Sequence, residues 1–470
     1  MPGHPPPVLS QSGAVESDRS GELGIWLRQA LYFGYHRANG RSLGVLYRRF
    51  RKEDQAGVAS EGVSDRIGAI LRHASASVPY YREQLNGMGD AIEDDPVALL
   101  RRLPLLTKRT VKDRFEDLKS SGGGRRGIRN QTSGGSTGEP VRLIQDAYYQ
   151  DRVVAVKLLY STWAGWQPGE PEVTIWGSEQ EILQGSLSAR VRVANRLMRT
   201  RLVNAFRMSE ESMRRCLEEL NRDPPKLIVA YVQSLDDLAA FADRGQIEVV
   251  PQHAIISTAG TLQPHMRERI ERVFGCRLFD RYGSREVGDI AGECSLHQGL
   301  HVFPWTNFVE IVGDDDQPVE PGAPGRVLVT SLCNFAMPLI RYEIGDRASL
   351  LPPSGPPCPC GRGGQRIARL LGRTVDTFKT LDGTLVNGEY FTHMLYFKDF
   401  VEKFQVVQRS PSLIVYRLIV SRPVPEADVT EIIEGTRSVM GPGCKVEFEF
   451  VDEIPPSPSG KFRYTISESG

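Results

Sequence analysis

The feature that most constrains the fold is an alternation, between about residues 130 and 350, of short β-rich runs with helical runs near ten residues long. VTIWG is followed by SMRRCLEELNRD, KLIVAYV by SLDDLAAFADRG and HAIIST by PHMRERIERVFG, and the series ends at RLFDRYG. Parallel neighbours need a long crossover, usually a helix, so this rhythm predicts stacked βαβ units on a mostly parallel sheet. Beyond them, FVEIVG, the turn-rich DDDQPVEPGAPG and RVLVTSL predict a β-hairpin closed by LIRYEIGD. The pattern then changes: TFKTLDGTLVN predicts a hairpin turning at Asp382-Gly383. A helix (GEYFTHMLYF), strands (KFQVVQR and LIVYRLIV), a helix (ADVTEIIEGTRSVM) and a strand (KVEFEFV) follow, the order of a small α+β domain. On the N-terminal side the chain reads as helical from Trp26 through Val78, and Thr107 is placed to cap TKRTVKDRF.

The expected organisation is therefore α/β: a polar, disordered tail over 1–23, a large multi-layered N-terminal domain over 24–371, a hinge over 372–376 and a small α+β domain over 377–470. Lys and Arg together number 58, as do Asp and Glu, so no global basic field marks a nucleic-acid binder. No apolar run approaches the roughly 18 residues of a membrane span, and MPGHPPPVLSQSG has neither the basic nor the apolar region of an export signal. Seven cysteines, odd in number and sparse in 470 residues, argue against a disulfide framework. A cytoplasmic protein with no membrane span and no nucleic-acid partner is expected. With 11 lysines against 47 arginines, a lysine inside a motif is less readily filler.

Four motifs carry chemistry. TSGGSTGEP (Thr132 to Pro140) combines glycines, which let the backbone approach a phosphate, with hydroxyl and amide donors for its oxygens; no Lys-Ser/Thr pair follows, so it is not a Walker loop. DRYGSREVGDIAGEC follows a strand, where Tyr282 can lay a ring on a base and Glu286 can hold a divalent cation. RYEIGD ends on Asp346, a carboxylate able to accept from two ribose hydroxyls, with Arg373 in the next run. PSPSGKFRY projects Lys461 from a glycine-freed loop, a cation able to neutralise charge developing on a phosphate and a carboxylate. Separately, GECSLHQGLH and CPCGRGG supply Cys294, His297, His301, Cys358 and Cys360, enough thiolate and imidazole groups for a tetrahedral zinc shell.

In order and spacing, from VPYYREQL through LPLLTK, TSGGSTGEP, YGSREVG, RYEIGD and LLGRTVD to PSGKFRY, the chain resembles the phenylacetate-CoA ligase-like branch of the adenylate-forming enzymes, with its CapK-like and coenzyme F390 synthetase-like groups. The resemblance implies the adenylate-forming ligase fold, an AMP-binding body with a C-terminal lid. It also implies an acid ligase that uses ATP and Mg²⁺ to make an acyl- or aryl-adenylate and transfers the acyl group to coenzyme A. Amine acceptors, adenylyl transfer to a hydroxyl and a non-catalytic homologue are the alternatives, and the branch admits a homodimer.

By position, Ser133, Gly135, Ser136, Thr137 and Gly138 would line the triphosphate. Tyr282 would stack on adenine, with Gly283, Ser284, Ala259 and Gly260 about the nucleotide, and Asp346 and Arg373 would take the ribose. Glu286 would bind Mg²⁺ and Lys461 would bridge carboxylate and α-phosphate. Relatives that carry structural zinc imply Cys294, His301, Cys358 and Cys360 as ligands, with His297 the alternative. Trp176, Gly177, Tyr231, Val232 and Gln233 are the candidates for the acid pocket, at strand ends whose mixed polar and aromatic character suits an aryl or medium-chain acid. Three positions depart from the branch's pattern: Arg285 stands where Thr or Ser is common, Val375 replaces an acidic hinge residue, and Gly260 replaces a glutamate.

Overall fold

Four consecutive crossovers build one half of the central sheet, and short turns build the other. The computed structural model describes residues 19–121, 127–132, 141–176, 189–204, 210–352, 355–373, 377–383, 385–396, 398, 400–454 and 464–468. A two-stranded hairpin, β1 (Arg129–Thr132) with β2 (Arg142–Gln145), precedes the sheet. The sheet has eleven strands. From one edge they are β10 (Asn307–Val312), β11 (Gly325–Ser331), β12 (Tyr342–Leu350), β13 (Arg366–Arg373), β9 (Leu300–Val302), β8 (Gly288–Glu293), β7 (Arg277–Ser284), β6 (Ala254–Thr258), β5 (Leu227–Tyr231), β3 (Glu172–Trp176) and β4 (Thr200–Asn204).

The expected parallel pairing holds from β4 to β7, where helices Ala189–Met198, Glu210–Arg222, Val232–Arg244 and Pro264–Phe274 occupy the connections. From β7 to β10 every neighbour is antiparallel. The links there hold no helix among the described residues, and the shortest, 285–287, is a tight turn. Burial follows the same division. β5 and β6 read as nearly continuous apolar runs because layers cover both faces, and helix residues Leu217, Leu235, Ile270 and Phe274 pack on them.

The N-terminal helices Arg19–Ala38, Leu43–Gln55 and Val63–Ser77 match the expected helical stretch, the first starting inside the expected 1–23 tail. Tyr47 and Phe50 pack with Tyr160, Phe303 and Trp305 in a second core. Thr107 caps helix Lys108–Asp113, its hydroxyl accepting from the Thr110 amide at 3.1 Å.

The C-terminal unit has the predicted hairpin, β14 (Thr377–Lys379) with β15 (Leu385–Asn387), and a four-stranded sheet. That sheet runs β18 (Lys445–Phe450), β17 (Leu413–Val420), β16 (Val401–Ser410) and β19 (Thr465–Ser467). Helices Glu389–Tyr396 and Glu426–Met440 complete it around Phe378, Phe391, Phe404, Tyr416 and Ile432. β19 was not expected, since three residues carry no readable alternation.

Arg341 fastens the segment LPLLTK to β12. It is buried at a left-handed φ of 48°. Its guanidinium lies 3.3 Å from the buried Glu310 carboxylate and donates to the Leu103 carbonyl, and the Leu106 amide donates to the Arg341 carbonyl. Removing one member of such a pair strands the other charge away from water, so Arg341→Met is expected to lower unfolding free energy by about 3–5 kcal/mol in urea titrations. Adding Glu310→Gln to that variant is expected to restore part of the loss.

Candidate functional site

Parallel register brings distant segments to one edge. Ile175, Ala230, Ser257 and Asp280 stand side by side across β3, β5, β6 and β7. The chain leaving each strand therefore opens at the same carboxyl edge, where open α/β sheets bind ligands. Trp176 ends β3; its side chain, Gly177 and the Gln233 side chain lie outside the described residues. Tyr231 is half-buried at the N-cap of helix Val232–Arg244, and Val232 is buried in the apolar layer beneath. Beyond β6, Ala259 adopts a left-handed φ of 64° and is exposed together with Gly260. A Cβ on Gly260 would lie 2.6 Å from Val232 Cγ1, so the glutamate implied by the resemblance does not fit here unless Val232 moves.

The Tyr282 hydroxyl donates to Asp346 Oδ2 at 2.8 Å, joining two of the sequence-predicted nucleotide residues across 64 positions of chain. Asp346 stands opposite Arg373 in the β12–β13 register; the Arg373 side chain lies outside the described residues. Gly283 is held tightly against β8, since a Cβ there would come within 2.8 Å of the Gly288 carbonyl. Ser284 Oγ is buried with no hydrogen-bond partner among the described residues.

Glu286 is buried in the turn 285–287. The Asn307 amide fastens this turn by donating to the Val287 carbonyl at 3.3 Å and the Asp289 carbonyl at 2.8 Å. The Gln145 amide donates to the Arg285 carbonyl at 3.2 Å, tying the β1–β2 hairpin to the same turn. Burial, and then the nearby Cys333, Asp289 and Glu286, push the Tyr149 phenol well above its ordinary range. Ser133, Gly135, Ser136, Thr137 and Gly138 lie outside the described residues, as does Lys461. Their loop is closed at its base by the Thr132–Arg142 pair of β1 and β2.

Beneath this edge sits a buried acid network that sequence reasoning missed. Asp280 Oδ1 accepts from Ser257 Oγ at 3.2 Å, the Asp280 amide donates to Glu293 Oε2 at 2.9 Å, and Tyr160 donates to the Asp280 carbonyl at 2.8 Å. Arg267 donates to both Glu293 oxygens at 2.8 Å, and His297 Nδ1 stands 3.0 Å from Oε2. Burial and the neighbouring Glu293 raise Asp280 to about 7. Burial also acts upward on Glu293, but His297, Arg267 and the Asp280 amide outweigh it and leave that carboxyl below its ordinary value. An acid at a strand position, two residues before Tyr282, was the available signal.

Cys294, His301, Cys358 and Cys360 converge, their ligand atoms all within 4.8 Å of one another. Cys294 Sγ is 3.7 Å from Cys358 Sγ, and Cys360 Sγ is 3.5 Å from His301 Nε2. Around a zinc ion with S at about 2.3 Å and N at about 2.0–2.1 Å, tetrahedral edges come to roughly 3.5–3.8 Å, so the donor set fits. Burial, then Arg362 and Arg366, depress His301 to about 4, which keeps it neutral, as a ligand must be. His297, the alternative, is instead engaged with Glu293. The cysteine loop is also anchored to the N-terminal helices: Arg362 Nε donates to Asp54 Oδ1 at 3.1 Å, and Trp163 Nε1 donates to Oδ2 at 3.0 Å.

Known proteins resemble the chain in sequence and in fold. A family model described as the CapK C-terminal domain matches residues 378–468. The chain is 24% identical to Protein CapK of Staphylococcus aureus over 382 residues, 79% of this chain and 81% of that one. It is 25% identical to the phenylacetate-coenzyme A ligase of Escherichia coli (strain K12), covering 67% and 70% of the two chains. Among solved structures, 2-hydroxyisobutyryl-CoA ligase in the postadenylation state with 2-HIB-AMP has a TM-score of 0.66 at 16% identity, covering 87% of this chain and 89% of that one. O-succinylbenzoate coenzyme A synthetase from Bacillus subtilis, with ATP and magnesium, has a TM-score of 0.51 at 16% identity, covering 71% and 68%. The chain is thus a relative of CapK and the phenylacetate-CoA ligases, and its fold is that of the adenylate-forming CoA ligases.

The Asp280 carboxyl, near 7 when folded against 3.8 ordinarily, keeps its proton at pH values where the unfolded chain has lost it. Stability from this source is full below about pH 4, falls as pH rises to about 7 and is constant above. Asp280→Asn is expected to flatten that decline, by at most about 3 kcal/mol between pH 5 and pH 8 in urea unfolding.

Proposed function

We propose that this relative of CapK and the phenylacetate-CoA ligases is an ATP-dependent acid ligase, which couples a carboxylic acid to AMP with release of pyrophosphate and passes the acyl group to coenzyme A. The observation that carries the reading is the Tyr282–Asp346 hydrogen bond at the carboxyl edge of the parallel strands, which sets an aromatic face beside a carboxylate. It is supported by solved relatives in fold that hold an acyl-AMP or ATP with magnesium.

In this reading the Tyr282 ring supports adenine alongside Ala259, Gly260, Gly283 and Ser284. Asp346 accepts from the ribose hydroxyls, with Arg373 opposite it in register. Ser133, Gly135, Ser136, Thr137 and Gly138 donate to the phosphates. Glu286 is the residue for Mg²⁺, because its buried carboxylate has no ion-pair partner among the described residues; the bound ion would supply neutralising charge at the phosphates.

A carboxylate oxygen of the acid attacks the α-phosphorus, the new O–P bond forms, and pyrophosphate leaves with the electron pair. Lys461 offsets the charge shared by carboxylate and α-phosphate. The CoA thiol sulfur, its proton lost, then attacks the acyl carbon and AMP leaves. Trp176, Gly177, Tyr231, Val232 and Gln233 would receive an aryl or medium-chain acid.

The reading divides the chain into a body over 24–371, a hinge over 372–376 and a lid over 377–470, so that the lid withdraws Lys461 between the two half-reactions. Zinc at Cys294, His301, Cys358 and Cys360 would be structural, and its thiolates suit a reducing cytoplasm. Acyl transfer to an amine, or adenylyl transfer to a hydroxyl, is the second reading. Mass spectrometry of products made with and without CoA separates the two.

Lys461→Ala is expected to lower ATP–pyrophosphate exchange by roughly a hundredfold or more while ATP binding by calorimetry persists. Exchange at the wild-type rate would remove Lys461 from the reaction. Cys358→Ser is expected to lose zinc, measured by elemental analysis of the purified protein, and to unfold at a lower temperature. Full zinc occupancy in that variant would overturn the ligand set.

A further inference from the structure

The helix Arg19–Ala38 inverts the usual polarity of a surface helix. Every exposed position from 23 to 35 is apolar or small: Leu23, Trp26, Leu27, Leu31 and Tyr35, with only alanine and glycine between them. Leu23 is 66% exposed, Trp26 65%, and Leu27 and Leu31 51% each. At 3.6 residues per turn these positions fall within one arc of about half the helix. The opposite face is already used, with Tyr32 buried and Phe33 stacked on Tyr47 at 5.5 Å. A surface helix ordinarily turns its charges outward and its apolar stripe inward. The neighbouring helix Ala189–Met198 adds Val193, 52% exposed.

Along the flank of this face runs a basic cleft of about 310 Å³, lined by Arg28 of the helix together with Arg199, Lys226, His253 and Glu170. These last four residues precede β4, β5, β6 and β3, so the cleft opens at the amino edge of the parallel strands, the far side from the Tyr282–Asp346 site. Arg28, Arg199 and Lys226 make no ion pair among the described residues, while Glu170 accepts from the Gln167 amide at 2.7 Å. The sequence from 182 to 209 holds six arginines and no acidic residue. An exposed apolar stripe beside unpaired cations complements a surface that is oily within and anionic outside. A second copy of the chain complements it poorly, because a two-fold interface sets the same patch against itself and brings like charges together.

We propose that this face docks the protein on an anionic lipid surface, with the outward side of the helix entering the headgroup boundary and the cleft cations meeting lipid phosphates. The proposal does not depend on the adenylation reading. The test is flotation of the full chain with two kinds of vesicle: phosphatidylcholine alone, and phosphatidylcholine carrying about one third phosphatidylglycerol. Binding to the anionic vesicles, weakened by salt, is expected.

Trp26→Ser with Leu27→Ser, and separately Arg199→Glu with Lys226→Glu, are expected to reduce partitioning about tenfold or more, with the far-UV circular dichroism spectrum and melting temperature unchanged as evidence of folding. No binding to anionic vesicles, equal binding to both kinds, or binding indifferent to either variant overturns the proposal. So does light scattering that shows a dimer dissociated by Leu27→Ser, which would make a second copy the occupant. Inorganic phosphate that binds the cleft without vesicles, in a protein that does not float, would make it a free-anion site and equally overturn docking.

Discussion

β7 has two kinds of neighbour, and the site depends on that change of partner. Along Arg277–Asp280 it lies parallel to β6; along Arg281–Ser284 it lies antiparallel to β8. The first pairing aligns β7 with the crossover strands, whose ends all open at one edge. The second turns it into the half of the sheet that contains β12 and hence Asp346. Tyr282 sits just past the change, the place from which one side chain reaches both halves. A strand committed to either pairing alone would leave the tyrosine and Asp346 on separate structures. The buried Asp280–Glu293 contact holds the parallel part of β7 to the end of β8 just below this point, so the network braces the strand where its partners switch.

Charge in this protein is arranged locally. The equal totals conceal a basic cleft at the amino edge of the strands, an acid network under the carboxyl edge, and an Arg341–Glu310 pair inside the body. The acid network and the Arg341–Glu310 pair are buried, so they are felt far more strongly than the same charges spread over the surface, while the cleft cations Arg199 and Lys226 stay open to solvent. Net charge, as a whole-chain quantity, says nothing of this.

What the sequence made legible follows physical range. The crossover strands and helices could be read because period and length are local properties, and so could the hairpin at Asp382-Gly383 and the Thr107 cap. Spacing alone left two histidines open for the Cys cluster, and the resemblance named His301, which the structure places there. His301 is selected because β9 pairs with β13, bringing Arg366 opposite His301 and the cysteine loop with it, while His297 turns to Glu293. The hairpin of β10 and β11 was legible, but the pairing of β8, β9 and β13, the strand β19 and the Ser257–Asp280 contact escaped, since they exist only through pairing between segments distant in sequence. The helix Arg19–Ala38 was legible as a helix, but its apolar side reads as core until the layer behind it is seen to be occupied on the other face.

Gly260 and Val232 form a packing constraint. A Cβ at residue 260 would lie within 2.6 Å of a stiff, buried valine, so the space at one position depends on the other. A side chain at 260 fits only if Val232 shifts or a smaller residue stands there. The two positions are therefore coupled by packing, and a substitution at either is read together with the residue at the other.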